Sequence, residues 1–164
     1  MSSSDPLIAL ATLVGTQLKA RAAMLASAES CTGGWVAQAA TAVAGSSDWF
    51  ERGFVTYSNA AKIEMLGVNA GTLATHGAVS EQTAREMAEG ALRHSHAQVA
   101  VAITGIAGPS GGSPEKPVGT VCFAWSRAKG GTVAQTRQFK GDRESVRHQS
   151  VVVALQGVLE MLEA

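Results

Sequence analysis

The sequence predicts an α/β fold, a three-layer α/β/α sandwich on a mixed sheet of about five strands. Three observations predict it. Short apolar stretches of strand length alternate with helical patterns as far as Thr104, the arrangement that builds a largely parallel sheet with helices on both faces. After a glycine-rich loop, two further extended stretches flank the turn Lys129-Gly-Gly131, which joins neighbouring strands antiparallel and makes the sheet mixed. The chain has 164 residues, 46% of them hydrophobic and 16% charged: enough apolar material for one core, and too short for two ordinary domains. Residues 1–164 are therefore expected to form a single domain.

Pro6 to Arg21 is the first helix: Leu7, Leu10, Ala11, Val14 and Leu18 recur at helical spacing, Asp5 caps it, and Pro6 sits in the first turn, where no N–H is needed. Ala23 to Ala28 is short and apolar and reads as a strand. It runs straight into Glu29-Ser-Cys-Thr-Gly-Gly34, and Trp35 to Val43 follows as a helix, giving strand, tight turn and helix in succession. Phe54 to Tyr57 is the second strand, and Asn59 to Leu66 a short helix capped by Ser58 or Asn59. Ser80 caps a helix with Ala84, Met87, Ala88, Ala91 and Leu92 on its apolar face and Arg85, Glu86 and Glu89 towards water. Gln98 to Thr104 is an apolar strand, and Gly105 to Pro117 a Gly/Pro/Ser-rich loop of a length that usually carries function. Val118 to Trp125 and Thr132 to Phe139 form the antiparallel pair, and Asp142 caps a last helix reaching about Glu160.

Charge and composition exclude several functions. The 13 basic and 13 acidic residues cancel, which removes the electrostatic footprint of a general nucleic-acid binder. Apolar runs such as Val151 to Leu155 fall far short of the ~20 residues that span a bilayer, so no membrane association is expected. Met1-Ser-Ser-Ser-Asp-Pro6 lacks the basic and apolar regions of a secretory signal, so the chain is expected in the cytoplasm, with Cys31 and Cys122 reduced. Those cysteines show no CxxC spacing, and His76, His94, His96 and His148 are scattered without an HExxH pattern, so neither a metal nor another cofactor is expected.

Four segments carry possible chemistry. In Ala28-Glu-Ser-Cys-Thr-Gly-Gly34, small residues and two glycines open a helix directly after a strand, so backbone N–H groups can face an anion or a developing oxyanion. Ser30 sits at the turn; it is either functional or, like Thr32, a helix cap, and Cys31 beside it is a rival nucleophile. In Thr56-Tyr-Ser-Asn-Ala-Ala-Lys62, a phenol ends a strand and an amine follows five residues on. A desolvated lysine can serve as base for a serine, although an isolated Lys62 reads as a solvated helix residue and Tyr57 as half-buried packing. Thr104-Gly-Ile-Ala-Gly-Pro-Ser-Gly-Gly112 followed by Lys116-Pro-Val-Gly-Thr120 matches neither Walker A nor GxGxxG; its glycines permit either close ligand approach or a sharp turn. Arg143 and Arg147 lie four apart at the start of the last helix, where cations oppose the macrodipole, so an anionic ligand or a carboxylate partner is expected for them.

Taken together, Ala-Glu-Ser-Cys-Thr-Gly-Gly, Tyr-Ser-Asn-x-x-Lys, Gly77-Ala-Val-Ser-Glu81, Gly-Ile-Ala-Gly-Pro-x-Gly-Gly and Lys-Pro-Val-Gly-Thr resemble, in order and spacing, the CinA C-terminal domain family across nearly the whole chain. The resemblance implies a nicotinamide mononucleotide amidase that produces nicotinate mononucleotide and ammonia in pyridine-nucleotide salvage. It also implies a catalytic set falling on Ser30 as nucleophile, Lys62 as base and Tyr57 as proton relay. Substrate contacts are expected from Thr32, Gly33, Gly34, Thr104 and Gly105, which divide oxyanion and phosphate between them, and from Arg143 and Arg147. The expected partner is the small nucleotide, with self-association left open. A noncatalytic nucleotide-binding module, which has no use for a base beside a serine, and a competence-related partner protein, which would show no dependence on small molecules, are the two alternatives.

Overall fold

The structure, a computed structural model, describes residues 5–164; Met1 to Ser4, part of the segment read for a secretory signal, lie outside them. In chain order the elements are α1 (Pro6–Ala20), β1 (Leu25–Glu29), α2 (Trp35–Thr41), a 3-10 turn (Ser46–Asp48), β2 (Phe50–Val55), α3 (Asn59–Leu66), α4 (Ala70–His76), α5 (Glu81–Arg93), β3 (Val99–Gly105), β4 (Thr120–Arg127), β5 (Thr132–Gln138) and α6 (Arg143–Glu163). The caps are the ones the sequence marks. Asp5 accepts the Leu7 amide at 2.8 Å, Ser58 the Ala61 amide at 3.0 Å, Ser80 the Thr83 amide at 3.0 Å and Asp142 the Ser145 amide at 2.9 Å.

The sheet is five-stranded in the order β2-β1-β3-β4-β5. β1 runs parallel to both β2 and β3, whereas β3–β4 and β4–β5 are antiparallel, so the sheet is mixed as expected. Its two faces are chemically unlike because the strands alternate large and small residues with the period of two that a pleat imposes. Leu25, Val99, Val101, Ile103, Val121, Phe123 and Trp125 face α1, α2 and α6. Ala26, Ala28, Ala100, Ala102, Cys122 and Ala124 face the layer of α3 and α5. These are the three predicted layers. No helix of the described residues is long and apolar enough to cross a membrane.

The structure corrects the boundaries of four elements and adds a helix. β1 begins at Leu25, not Ala23, because the chain leaving α1 first turns through Ala22 (φ 50°), whose amide and that of Ala23 still bond to the helix end. β2 starts at Phe50 and ends at Val55, before Tyr57; its first half, Phe50-Glu51-Arg52, carries two charges that mask an edge strand. β4 begins at Thr120 after the left-handed Gly119 (φ 97°) and continues to Arg127, while α6 runs on to Glu163. α4 has no expectation to match it, since none of its residues is buried and it carries no apolar stripe. It is held by its Asn69 cap and by Glu86 of α5, which accepts the Asn69 amide at 2.8 Å and the Thr72 hydroxyl at 2.6 Å.

The topology places the site. Because β2, β1 and β3 are parallel, Val55, Glu29 and Gly105 all end at one edge of the sheet, and open sheets of this kind take ligands in the crevice beyond the carboxyl ends of their strands.

Candidate active site

Ser30 is the first residue beyond β1. Its amide donates to the Ile103 carbonyl at 3.0 Å, and its own carbonyl accepts the Gly33 amide at 3.1 Å, so the chain reverses immediately after it. The reversal passes through Gly33 (φ 61°) and Gly34 (φ 103°), conformations that a Cβ opposes, and α2 begins at Trp35. The amides of Ser30, Gly33 and Trp35 bond to backbone carbonyls, whereas among the described residues those of Cys31 and Thr32 have no protein acceptor. Such free amides beside a nucleophile can receive an oxyanion.

Lys62 reaches the same point from the first turn of α3, and only 1% of it is exposed. Its Nζ lies 3.0 Å from Ser30 Oγ, 3.0 Å from the Thr56 carbonyl and 3.3 Å from the Tyr57 carbonyl. Carbonyls only accept, so two amine hydrogens go to them. A neutral amine then has one lone pair left, and its remaining neighbour is the Ser30 hydroxyl, which can donate to it. No carboxylate forms an ion pair with Lys62 among the described residues. Burial accordingly pushes its pKa below the ordinary lysine value, with Cys31 a weaker opposing influence. The solvated lysine considered from sequence is thus a buried amine aimed at the serine.

Cys31 lines the same cleft, but burial is the largest influence on its thiol, which is pushed up to about 12. At neutral pH it is protonated and lacks the thiolate that a cysteine nucleophile requires. Tyr57 has two sets of contacts: its carbonyl helps to hold Lys62, while the residue, 64% exposed, lines the cleft. The phenol oxygen accepts from Arg143 Nη2 at 3.3 Å, and Arg143 Nη1 donates to the Gly108 carbonyl at 2.9 Å, so this arginine ties α6 to both walls. One turn on, Arg147 donates to the Cys31 carbonyl at 3.0 Å and the Thr32 carbonyl at 3.2 Å, with its guanidinium 5.6 Å from the centre of the Trp35 ring. The carboxylate partner expected for these arginines is absent among the described residues; loop carbonyls take its place.

The predicted residues fall into two adjoining recesses. Ser30, Tyr57, Lys62, Thr104, Gly105 and Arg143 line a cleft of about 360 Å³. Thr32, Gly33, Gly34 and Arg147 line a wider adjoining recess of about 720 Å³, where Arg143 appears again. The hydroxyls of Thr32 and Thr104 are committed inside the protein, to Glu29 at 2.7 Å and to the Ala78 carbonyl at 2.8 Å. Both side chains are buried, so these residues offer a ligand backbone only. Glu29 is the residue sequence reasoning passed over, although a carboxylate ending an otherwise small and apolar strand was its signal. Among the described residues no group of three His, Cys, Asp or Glu side chains is placed to hold a metal ion.

The sequence model of the CinA C-terminal domain matches residues 7–162. The chain belongs to the CinA C-terminal domain family. Nicotinamide-nucleotide amidohydrolase PncC of Escherichia coli (strain K12) is 59% identical over 156 residues, 95% of this chain and 94% of that protein. The protein of the same name from Pseudomonas putida is 51% identical over 157 residues, 96% of this chain and 98% of its own length. Among solved structures, competence/damage inducible protein CihA from Agrobacterium tumefaciens matches with a TM-score of 0.92 at 48% identity over 96% of each chain. A CinA superfamily protein from Klebsiella pneumoniae matches with a TM-score of 0.93 at 43% identity, over 97% of this chain and 99% of that one. In this member of the CinA C-terminal domain family, the serine turn, the lysine helix and the glycine-rich loop form the walls of one cleft.

Proposed function

We propose that the chain is a nicotinamide-nucleotide amidase, hydrolysing the carboxamide of nicotinamide mononucleotide to nicotinate mononucleotide and ammonia. The observation that carries this is the 3.0 Å approach of a buried, carboxylate-free Lys62 amine to Ser30 Oγ at the strand edge. The relatives named nicotinamide-nucleotide amidohydrolase supply the substrate class.

Ser30 Oγ attacks the carboxamide carbon while its proton passes to Lys62 Nζ, which as an ammonium has three hydrogens for its three oxygen neighbours. The Cys31 and Thr32 amides receive the oxyanion. Collapse breaks the C–N bond, and the departing nitrogen takes a proton and leaves as ammonia. Tyr57, whose oxygen accepts from Arg143, relays that proton: its O–H protonates the nitrogen, and the proton held by the Lys62 ammonium restores the phenol. Lys62, neutral again, then takes a proton from the water that attacks the Ser30 ester and returns it to Ser30 Oγ as the ester C–O bond breaks, and nicotinate mononucleotide is released. Arg143, exposed at the junction of the two recesses, is the substrate-facing cation for the phosphate, with Gly105 on the cleft wall. Arg147 is committed to the turn carbonyls and keeps the Ser30 turn in place. One amidase domain working in the cytoplasm completes the proposal, supported by two free, buried cysteines.

The test is ammonia release from nicotinamide mononucleotide, measured beside NAD and free nicotinamide. The mononucleotide is expected to be the best substrate and Ser30→Ala inactive. Saturable nucleotide binding without ammonia would identify a binding module, and indifference to all three compounds a partner protein.

A further inference from the structure

Glu29 ends β1 and is 1% exposed, a carboxylate shut inside the protein next to Ser30. Its Oε1 accepts the Thr32 hydroxyl at 2.7 Å and the Val36 amide at 2.9 Å, and its Oε2 accepts the Ala37 amide at 3.1 Å. Its main-chain carbonyl accepts the amide of Thr56, at 2.8 Å, and Thr56 in turn holds Lys62 through its own carbonyl. No lysine, arginine or histidine forms an ion pair with it among the described residues. An unpaired buried charge is costly, and a neutral cap would serve to start a helix of the 7 residues of α2. The bonds therefore have a further consequence: they clamp both ends of the turn that carries Ser30, from Thr32 to the first turn of α2, and link it to the strand end that holds the amine.

We infer that Glu29 is a positioning residue for the acylation step, holding the turn so that Ser30 Oγ meets Lys62 while the Cys31 and Thr32 amides stay free for the oxyanion. This rests on the amidase function proposed above. Only a carboxylate can make the clamp. It accepts three hydrogen bonds on two oxygens, whereas a glutamine accepts through one oxygen and would turn its NH2 towards the Ala37 amide, donor against donor. Aspartate loses the reach of one methylene. Glu29 also adds, after burial, to the influences that keep the neighbouring Cys31 thiol protonated, which favours serine over cysteine at the turn.

The experiment compares wild type with Glu29→Gln, Thr32→Val, Thr32→Ser and, as a folding control, Leu18→Ala in the α1 core, far along the chain from the turn. Three quantities are measured on each: kcat and KM for nicotinamide mononucleotide, melting temperature, and the rate at which a fluorophosphonate labels Ser30, read by mass spectrometry. In labelling, the Ser30 O–P bond forms, fluoride leaves, and Lys62 takes the proton, so the readout needs no amide substrate. Glu29→Gln is expected to lower kcat and labelling on the order of 10²-fold, with KM within about threefold of wild type, since misplacing a nucleophile spares ground-state binding. The midpoint of the pH–rate rise stays where it is, because Lys62 is untouched. Thr32→Val follows in part, and Thr32→Ser, which keeps the hydroxyl, restores the rate. Wild-type kcat and labelling in Glu29→Gln overturn the inference, as does a loss no larger than that of Leu18→Ala at equal loss of melting temperature. Labelled Ser30 without ammonia release from wild type ends the amidase proposal and leaves Glu29 to be judged by labelling alone. A wild type in which Ser30 is not labelled and no ammonia is released overturns both.

Discussion

Replacing Lys62 by methionine removes the amine while keeping a stem of similar length, and its effect follows from the three oxygens around Nζ. Loss of a positioned general base costs about 10²–10⁴ in rate. Each decade is about 1.36 kcal/mol, so the barrier rises by roughly 3–5 kcal/mol. The Thr56 and Tyr57 carbonyls lose their donor, at about 1–3 kcal/mol for each that stays dry, while removal of a buried amine offsets part of that. The variant should therefore fold and bind nucleotide. A lysine titrating near ~10.4 is neutral in fewer than about one molecule in a thousand at pH 7, so burial must lower the value for the amine to act. In the wild type, whose Lys62 is shifted down, kcat/KM should rise with pH as the ammonium is lost and level off below the ordinary lysine value. The stability sign follows: the folded state binds fewer protons than the unfolded one between the lowered and the ordinary pKa, so wild-type stability gains on Lys62→Met as pH rises through that window. The assay is ammonia release from pH 6 to about 10, with single-turnover acylation and nucleotide binding measured on both proteins. Turnover of Lys62→Met within about tenfold of wild type, or a wild-type profile without a rising limb, would refute Lys62 as the base.

Three further outcomes are expected. Ser30→Ala should lose nearly all turnover and Cys31→Ala keep most of it, because the thiol titrates at about 12; the reverse pattern in an ammonia assay would exchange their roles. Arg143→Ala should raise KM for the mononucleotide by roughly 1.5–3 kcal/mol, the scale of a charged hydrogen bond, and the riboside lacking phosphate should be a poor substrate for the wild type. Equal efficiency on riboside and nucleotide would remove the phosphate site. Gly157→Ala, on α6, should destabilise by about 1–3 kcal/mol, since a Cβ there would run into the Trp125 ring; an unchanged melting temperature would show that Trp125 can shift.

The sequence by itself determined the layers. Val-Ala-Val-Ala in β3, with its period of two, already divides a bulky face from a small one, and Asp5, Ser58, Ser80 and Asp142 mark four helix starts through bonds reaching only two or three residues. Ser30, Tyr57 and Lys62 were joined into one set only by the family resemblance; read locally, Ser30 could be a helix cap, Lys62 a solvated residue and Tyr57 packing. The start of β2 and the whole of α4 were not legible, because an edge strand with a charged first half and a helix without a buried face owe their form to neighbours rather than to their own pattern. Tertiary structure alone decided the chemistry of the site. Lys62 becomes a buried amine across a separation of 32 residues from Ser30, Arg143 meets Tyr57 across 86, and Arg147 braces the Cys31 carbonyl across 116. A proton affinity is set by which groups surround an ionisable atom and how much water reaches it, and neither exists until the sheet edge has brought those distant segments together.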